Sequence, residues 1–299
     1  MRATCGHEPS SGLYFEVLGE PGSTPPTLFL HGGGGSGAGF RTTVDGRPGW
    51  AELLAARGEQ AWVTDWPGCG RSGGRDPLAV GYEELVEGYT RLLEDAVARP
   101  ARLVCHSMSG AITWKLVEGC RELVHSVLAV AASYPGNLAP PVEVVSDDGT
   151  LVRLRFAASG IVFEVRRDRL YHYSDAYVYD QGLAGSTRFP RERVDALRAG
   201  LLGIPPRAIL QRLGHDGGLP RVERTDAFAG LRVLYLTGPQ DPAHTREIDQ
   251  ATVDLLRSWG ADADLLFLAD RGIEGNGHFL FLEDNSDELL DLALAELDR

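Results

Sequence analysis

Basic side chains are scarce in this chain of 299 residues. Lys115 is the only lysine, and arginine supplies the rest of the 29 basic residues. They are outnumbered by 42 acidic residues, so the net charge is -13 at neutral pH. Nucleic acids and anionic membranes attract proteins with basic surfaces. We therefore expect neither a nucleic acid nor a membrane among the partners of this protein.

Cysteine and long apolar runs are scarce as well. The four cysteines show no CxxC spacing and the eight histidines are scattered, so no pattern typical of a metal site is present. We expect neither a metal nor another cofactor. No apolar run reaches the length of a membrane span, and the first residues lack the apolar core of a signal peptide. These absences predict a cytoplasmic protein with reduced thiols.

The apolar segments that are present alternate between strand and helix patterns. This alternation is typical of an α/β fold with a mostly parallel sheet and helices on both faces. We predict this architecture for residues 1–136 and 226–299, which together would form the catalytic core. The predicted strands cover residues 12–19, 27–31, 61–65, 103–105, 127–131, 231–237 and 263–268. The predicted helices cover residues 48–57, 82–99, 111–117, 245–259 and 287–298.

The alternation is interrupted over residues 137–225, for which we predict an inserted cap, or lid. Asp148-Gly149 is a strong turn signal and predicts a hairpin over residues 142–156. Insertions of this size are common above an active site. Further extended segments are predicted over residues 161–165 and 170–179, and helices over residues 189–202 and 205–213.

Ser107 is the candidate nucleophile. The apolar run over residues 103–105 predicts a buried strand, and a helical pattern begins at Ala111. A serine in a sharp turn from strand to helix forms a nucleophile elbow, usually written G-x-S-x-G. Cys105 and Ser109 occupy the two glycine positions here, and both are small enough for the strand and the helix to pass closely.

A serine nucleophile needs a base within hydrogen-bond reach, and His278 is the candidate. It follows the last predicted strand and precedes the last predicted helix, and the glycines beside it allow a tight loop. A loop histidine at this place could also cap the final helix, but the Ser107 motif favours the role of a base. His106 and His31 are rival candidates, although a histidine at a strand end usually packs or binds the main chain.

The base in turn needs a carboxylate that orients it, and Asp241 is the candidate. It comes just after the predicted strand over residues 231–237, where a carboxylate can reach a histidine on the following loop. The alternative interpretation is an N-cap for the next helix. Glu274, Asp65 and Asp270 are weaker candidates for this acid.

Backbone N–H groups are expected to stabilise the negative charge that develops on the substrate. One donor is expected from Met108, the residue after the nucleophile. The other is expected from Gly33 or Gly34, because a glycine run after a strand lets the main chain approach a substrate closely. Glycine runs also bind phosphates, but no G-x-x-x-x-G-K-[ST] motif is present and no acidic strand end follows that would bind a ribose.

Tyrosines alternate in the second extended segment predicted for the cap, at Tyr171, Tyr173, Tyr177 and Tyr179. On a strand, alternate side chains share one face. We therefore regard Tyr171, Tyr173 and Tyr177 as candidate substrate-binding residues for an apolar or aromatic group. The alternative is that the same face packs the lid onto the body of the protein.

As a set, five motifs resemble those of the α/β-hydrolase fold superfamily. They are His31-Gly-Gly-Gly, Asp65-x-Pro-Gly-x-Gly-x-Ser72, His106-Ser-Met-Ser-Gly110, Gly238-x-x-Asp241 and Gly277-His278. The resemblance covers nearly the whole chain outside the insertion. It implies an α/β-hydrolase fold, and Asp241 occupies the common position of the acid in that fold.

Finer details are similar to a bacterial serine aryl-esterase-like subgroup, in segments 42–50, 271–278 and 283–286. In that subgroup two adjacent residues after the His-Gly form the oxyanion site, which here would be Gly33 and Gly34. Its catalytic acid is a glutamate after the sixth strand, but Val130-Ala-Ala-Ser-Tyr-Pro135 contains no carboxylate. Either Asp241 has taken the role of that glutamate or the triad is incomplete.

These features predict a serine hydrolase that cleaves a carboxylic ester or lactone of a hydrophobic or aromatic small molecule through an acyl-enzyme. The alternative is a tailoring enzyme of natural-product biosynthesis that uses the same scaffold for lactonisation, acyl transfer, cyclisation or elimination. A third interpretation is a ligand-binding protein that kept the fold without catalysis. A small-molecule substrate is the expected partner, and a homodimer is left open.

Overall fold

The computed structural model describes residues 3–156 and 160–299. In this part of the chain one sheet contains eight strands and a second sheet contains three. The strands are β1 (Ala3–His7), β2 (Tyr14–Leu18), β3 (Thr27–Leu30), β4 (Ala61–Asp65), β5 (Ala101–His106), β6 (Val124–Val130), β7 (Val142–Asp147), β8 (Leu151–Phe156), β9 (Val162–Arg166), β10 (Arg232–Thr237) and β11 (Asp262–Phe267). The large sheet has the order β1-β2-β4-β3-β5-β6-β10-β11.

Helices connect most of these strands. They are α1 (Ala38–Arg41), α2 (Trp50–Ala56), α3 (Tyr82–Arg91), α4 (Ser109–Gly119), α5 (Asp175–Tyr177), α6 (Val194–Gly200), α7 (Pro206–Arg212), α8 (Arg246–Ser258) and α9 (Ser286–Leu297). π-helical turns extend α3 over Leu92–Val97 and α5 over Val178–Leu183. Within the described ranges, no helix is both long and apolar enough to cross a membrane.

In sheet order the strands are parallel from β4 to β11, and β1 and β2 pair antiparallel at one edge. Apolar residues meet at the centre of the sheet, where Leu103 pairs with Leu28 on one side and with Val127 on the other. All residues of β4 and β5 are buried, because helices cover both faces of a parallel sheet. The predicted mostly parallel sheet is confirmed.

Two apolar cores lie on opposite faces of this sheet. Along β5, Leu103 and Cys105 belong to the first core, whereas Val104 belongs to the second. Helices α3, α4 and α8 contribute to the first core, and α2 and α9 contribute to the second. Burying a large apolar side chain contributes about 1.5–3 kcal/mol, so these helices are held by their apolar faces. Helices on both faces are therefore confirmed.

The antiparallel edge strand β1 was not predicted. Its residues are mostly exposed and show no apolar alternation, so the sequence carries no strand signal there. The segment is extended because β2 offers it a row of backbone hydrogen-bonding groups, with Ala3 beside Leu18 and His7 beside Tyr14.

The predicted hairpin of the insertion is confirmed as β7 and β8, and β9 extends it. Gly149 has a φ of +86°, and Oδ1 of Asp148 accepts hydrogen bonds from the N–H groups of Thr150 (2.9 Å) and Leu151 (2.7 Å). The inward residues of β8 and β9 join the first core, so this small sheet rests on the body of the protein.

The extended segment predicted over residues 170–179 is wrong beyond its start. Tyr171 forms an isolated antiparallel bridge with Ile204, but α5 begins at Asp175. Oγ of Ser174 accepts a hydrogen bond from the N–H of Tyr177 (3.2 Å) and so caps this helix. The Ser-Asp pair is a helix start signal, which outweighs the alternation of tyrosines.

Candidate active site

Ser107 occupies the turn between β5 and α4, in a strained conformation with a φ of +51°. Its N–H donates a hydrogen bond to the carbonyl oxygen of Val130 (3.2 Å), and its own carbonyl accepts one from Ser133 (2.8 Å). A positive φ is costly for a residue other than glycine, so the surrounding main chain must hold it. The side chain is partly exposed while His106 and Met108 are buried. This is the geometry of a nucleophile elbow.

Small residues after the serine permit this turn. A Cβ atom on Gly110 would lie 2.3 Å from the carbonyl oxygen of Ser133, so a larger residue does not fit without rearrangement. Oγ of Ser109 donates a hydrogen bond to the carbonyl oxygen of His31 and accepts one from Nε1 of Trp66 (3.2 Å). Ser109 is therefore more than a small residue, because it fastens the elbow to the glycine loop that follows β3.

His278 and Asp241 form a hydrogen-bonded pair. Oδ2 of Asp241 lies 2.6 Å from Nδ1 of His278, and Oδ1 accepts a hydrogen bond from the N–H of Ala243 (2.9 Å). Burial acts to raise the pKa of Asp241, but the neighbouring imidazoles and these hydrogen bonds lower it to about 2. The carboxylate is ionised at neutral pH and accepts from Nδ1–H, which leaves Nε2 of His278 as the basic nitrogen.

His106 connects the elbow to the loop of the candidate base. Its Nε2 donates a hydrogen bond to the carbonyl oxygen of His278 (3.1 Å), and the two ring centroids are 4.7 Å apart. Because His106 directly precedes Ser107, this bond joins the loop of His278 to the elbow. The described side chains of Ser107 and His278 are not hydrogen-bonded to each other. Such bonds often tighten only when a substrate is present.

The rival histidines bind main chain. Nδ1 of His31 donates to the carbonyl oxygen of Gly32 (2.8 Å), and its Nε2 accepts from the N–H of Trp66 (3.0 Å). Burial lowers the pKa of His31 and lowers that of His106 to well below its usual value, so both are neutral. Both histidines therefore position the loops around the serine.

The three other candidate acids do not contact His278, and two of them pair with an arginine. The carboxylate of Asp65 is buried and binds Arg71, with Nε 2.8 Å from Oδ2. Asp270 is exposed and pairs with Arg246, and the side chain of Glu274 is exposed. The structure brings none of these three carboxylates to His278.

The glycine loop passes directly over the elbow. A Cβ atom on Gly32 would lie 2.7 Å from Cβ of Ser107, and one on Gly33 would lie 2.3 Å from Sδ of Met108. The amides of Gly33 and Met108 donate no hydrogen bond to another described residue and are free to bind a substrate. Gly34 has a φ of +76°, and its carbonyl oxygen accepts from the N–H of Leu202 in the cap (2.7 Å).

The tyrosines of the cap meet through a helical turn. Tyr173 and Tyr177 stack with ring centroids 4.5 Å apart, and Tyr171 packs edge-on against Tyr173 at 5.5 Å. Oη of Tyr173 lies 3.9 Å from Sδ of Met108. The structure thus brings this cluster to the side of the elbow that carries the free amides, whereas Tyr179 is exposed.

A cavity of about 600 Å³ adjoins the glycine loop. It lies between that loop, α6 of the cap and the residues after His278. A space of this size and apolar character is suited to a small organic molecule. Its lining includes Gly32, Gly33, His106, Leu197, Leu201 and Phe279.

Glu283 is a site residue whose role the sequence analysis did not recognise. Its carboxylate accepts hydrogen bonds from the N–H of Gly277 (2.8 Å), from Nδ2 of Asn276 (2.5 Å) and from Oγ of Ser186 in the cap (2.7 Å). Burial raises the pKa of Glu283 in spite of these bonds. This carboxylate fastens the loop of His278 to the cap. In the sequence, Glu283 follows the apolar run over residues 279–282 and begins the segment 283–286 that resembles the esterase subgroup, but neither feature indicates its contacts.

His244 was also missed. Its ring stacks on His278 with centroids 5.5 Å apart, and its Nδ1 binds Oδ1 of Asp249 (3.0 Å). Burial acts to lower the pKa of His244, but the carboxylates of Asp249 and Asp241 raise it. The only sequence signal for this residue is its spacing of three from Asp241.

Asp241, His244 and His278 are also a possible set of metal ligands by residue type, with one ligand atom from each within 4.8 Å of the others. The sequence analysis did not consider this group. Nδ1 of each histidine is already within 3.0 Å of a carboxylate oxygen. A metal ion bound through these atoms would have to replace both hydrogen bonds.

Comparison with known families identifies this arrangement. A family described as the alpha/beta hydrolase family matches residues 27–292, which is most of the chain. The chain belongs to this family, and its fold is the α/β-hydrolase fold that the motifs implied. The family match and the similarity to a protein named as a lipase support an enzyme of the hydrolase class.

Individual relatives are distant. A probable secreted lipase from a fungal species (strain ATCC 74256) is 21% identical over 350 residues, covering 94% of this chain and 84% of the lipase. A proline iminopeptidase-related protein from Thermus thermophilus has a TM-score of 0.63 at 20% identity, with 99% of both chains covered. Est816, an N-acyl homoserine lactone degrading enzyme, has a TM-score of 0.61 at 20% identity, with 95% of this chain and 96% of Est816 covered.

Proposed function

We propose that this protein is a serine hydrolase that cleaves a carboxylic ester or lactone through an acyl-enzyme. The observation that carries the proposal is a strained serine, Ser107, beside the hydrogen-bonded pair of His278 and Asp241. Nucleophile, base and orienting acid are the three parts that serine catalysis requires.

In the first step, Oγ of Ser107 attacks the carbonyl carbon of the ester and its proton passes to Nε2 of His278. Asp241, which is ionised, stabilises the imidazolium that forms. The amides of Met108 and of Gly33 or Gly34 donate to the oxyanion. When the intermediate collapses, the bond to the leaving oxygen breaks and His278 gives its proton to that oxygen.

In the second step, water attacks the carbonyl carbon of the acyl-enzyme. His278 takes a proton from this water and then returns it to Oγ of Ser107 as the acyl bond breaks. The products are a carboxylic acid and an alcohol. With a lactone, both groups remain in one molecule.

Hydrophobic or aromatic substrates are supported by the apolar cavity beside Gly33 and by the stacked rings of Tyr173 and Tyr177. The names of two similar proteins, a lipase and a lactone-degrading enzyme, are in keeping with an ester or a lactone as the substrate class. We expect aryl esters and lactones to be the most informative first substrates.

The decisive experiment treats the purified protein with a fluorophosphonate and measures its intact mass. We expect a single adduct on the wild type, no adduct on Ser107→Ala and slower labelling of Asp241→Asn. Ser133→Ala is the matched control, because it removes another buried hydroxyl beside the same turn, and it should label at the rate of the wild type. A wild type that never labels would refute the proposal.

Product analysis separates hydrolysis from the other reactions that this scaffold could perform. A hydrolase adds one water to each ester or lactone cleaved, which mass spectrometry in H₂¹⁸O detects in the acid product. A lactonising, cyclising or acyl-transferring enzyme would instead release a lactone, a ring or a new ester, and no acid labelled with ¹⁸O would form.

A further inference from the structure

Arg212, the last residue of α7, is a partly buried cation without an ionic partner. Its guanidinium forms no hydrogen bond and no ion pair with any residue that the structure describes. Every other described arginine that is not exposed binds a carboxylate or carbonyl oxygen. A guanidinium carries five N–H donors and remains charged. Among the described residues, no nitrogen of Arg212 is a fully buried atom without a partner, so its donors are accessible to a ligand.

Tyrosines lie near this end of α7, where the N–H of Tyr82 donates a hydrogen bond to Oε1 of Gln211, the residue before Arg212 (2.7 Å). Its Cζ lies 5.6 Å from the ring centroid of Tyr134, within the range of a cation–π interaction. Burial raises the pKa values of Tyr82, Tyr173 and Tyr177, and the charge of Arg212 opposes each rise. The face of the Tyr134 ring stabilises the charge of the guanidinium but does not accept hydrogen bonds from the N–H groups in the guanidinium plane. These N–H groups can therefore bind another acceptor.

Two of these tyrosines lead to the elbow. Oη of Tyr82 donates a hydrogen bond to the carbonyl oxygen of Met108 (3.3 Å), and Oη of Tyr173 lies 3.9 Å from Sδ of the same residue. Met108 directly follows Ser107. Tyr134 is joined to the elbow as well, because the preceding residue, Ser133, donates its N–H to the carbonyl oxygen of Ser107 (2.8 Å). The hydrogen bonds of Tyr82 and Ser133 thus place the end of α7, which carries Arg212, near the elbow, where a bound ester would lie.

We propose that Arg212 binds a free carboxylate of the substrate, so that the protein acts on esters or lactones that carry a carboxylate elsewhere in the molecule. This inference rests on the proposed ester or lactone hydrolysis. The planar guanidinium matches a carboxylate in a bidentate pair. The single charge of Arg212 balances the single charge of a carboxylate. A phosphate dianion would keep one negative charge, which is unfavourable in a chain with a net charge of -13.

Matched pairs of esters test this inference. The first pair is mono-para-nitrophenyl glutarate and para-nitrophenyl pentanoate, which differ in a carboxylate on the acyl side. The second is para-acetoxybenzoate and para-acetoxybenzamide, which differ on the leaving-group side. We expect the wild type to prefer the anion in at least one pair. Arg212→Gln should lower kcat/KM for that anion about 10- to 100-fold and change its neutral partner little.

Two further variants separate binding from structure. Arg212→Lys should restore part of the preference, because it keeps the charge. Arg207→Gln is the control, since it removes a cation from the same helix that pairs with Glu83 and Glu84. Equal losses on both members of each pair would show a structural role for Arg212, and an absent preference in both pairs would refute the inference.

Equilibrium binding keeps this test independent of the catalytic mechanism. Calorimetry on Ser107→Ala should show tighter binding of the anionic ester than of its neutral partner, and Ser107→Ala combined with Arg212→Gln should abolish the difference. Failure of the serine mechanism would appear as unchanged hydrolysis by Ser107→Ala. Failure of the present inference would appear as equal binding of anionic and neutral esters.

Discussion

Oδ2 of Asp241 lies 2.6 Å from Nδ1 of His278, although the residues are 37 positions apart in the chain. Asp241 follows β10, whereas the similar esterase subgroup carries a glutamate after the sixth strand. Strands β6 and β10 are parallel neighbours, with Val127 beside Val233. The ends of these two strands are therefore adjacent, and the structure places the carboxylate that contacts His278 after β10.

Replacing Asp241 with asparagine should lower kcat about 10²- to 10⁴-fold, because the amide no longer holds the required tautomer of His278. Steady-state hydrolysis of an aryl ester measures this loss. Asp270→Asn is the control, since it removes an exposed carboxylate that pairs with Arg246, and it should retain the activity of the wild type. A fully active Asp241→Asn would exclude Asp241 as the orienting acid.

Protonation of Asp241 should destabilise the fold at acid pH. Its pKa is about 2 in the folded protein and 3.8 ordinarily, so its contribution is complete above about pH 4 and is lost as the pH falls towards 2. The shift corresponds to a contribution on the order of 2 kcal/mol. Urea unfolding of the wild type and Asp241→Asn at several pH values should show their stability difference shrinking over this interval. A constant difference would contradict the prediction.

Removing the carboxylate of Glu283 should loosen the loop of His278. Glu283→Ala leaves buried donors of Gly277, Asn276 and Ser186 without their acceptor, which should cost about 2–4 kcal/mol. We expect kcat to fall about tenfold or more, because catalysis requires close placement of the base. Urea unfolding and ester hydrolysis measure the two effects. Asp284→Ala changes an adjacent exposed carboxylate and should alter neither quantity appreciably.

Two glycines of α4 should respond differently to a methyl group. Gly110→Ala places a Cβ 2.3 Å from a backbone oxygen of Ser133 and should destabilise the protein by about 1–3 kcal/mol. Gly119→Ala meets no atom within 4 Å and should be neutral or stabilising, by up to about 1 kcal/mol, because alanine favours a helix. Thermal unfolding of both variants tests the contrast. Equal effects would mean that the close approach at Ser133 is not constraining.

Much of the architecture could be predicted because local patterns agree with the fold. Strand β4, from Ala61 to Asp65, begins with an apolar run and is buried along its whole length, as a strand covered on both faces requires. The helix predicted over residues 245–259 is found at Arg246–Ser258, with a side-chain cap from Thr245. The sequence did not predict β1, because pairing with β2 decides its conformation. It wrongly predicted a strand beyond Ser174, because the helix cap that Ser174 provides outweighs the alternation of tyrosines.

The candidate site was harder to predict because its residues meet only in three dimensions. His244 belongs to no motif, and the resemblance of segment 283–286 does not indicate the role of Glu283. Each residue contacts a distant segment: His244 contacts His278, and Glu283 contacts Ser186. In the sequence, nothing distinguishes Arg212 from the other arginines. Only the structure shows that it has no ionic partner among the described residues. Such roles depend on which groups are buried together, and sequence periodicity does not report that.

The sequence alone determined the order of strands and helices and the turn that strains Ser107, because apolar periodicity and small residues act over a few neighbouring positions. It also restricted the acid to a few carboxylates. The tertiary structure decided that Asp241 is the carboxylate that reaches His278, and that Arg212 lies unpaired beside the elbow. Hydrogen bonding and desolvation depend on distances of a few ångströms between remote segments, and only the packed sheet and cap bring those segments together.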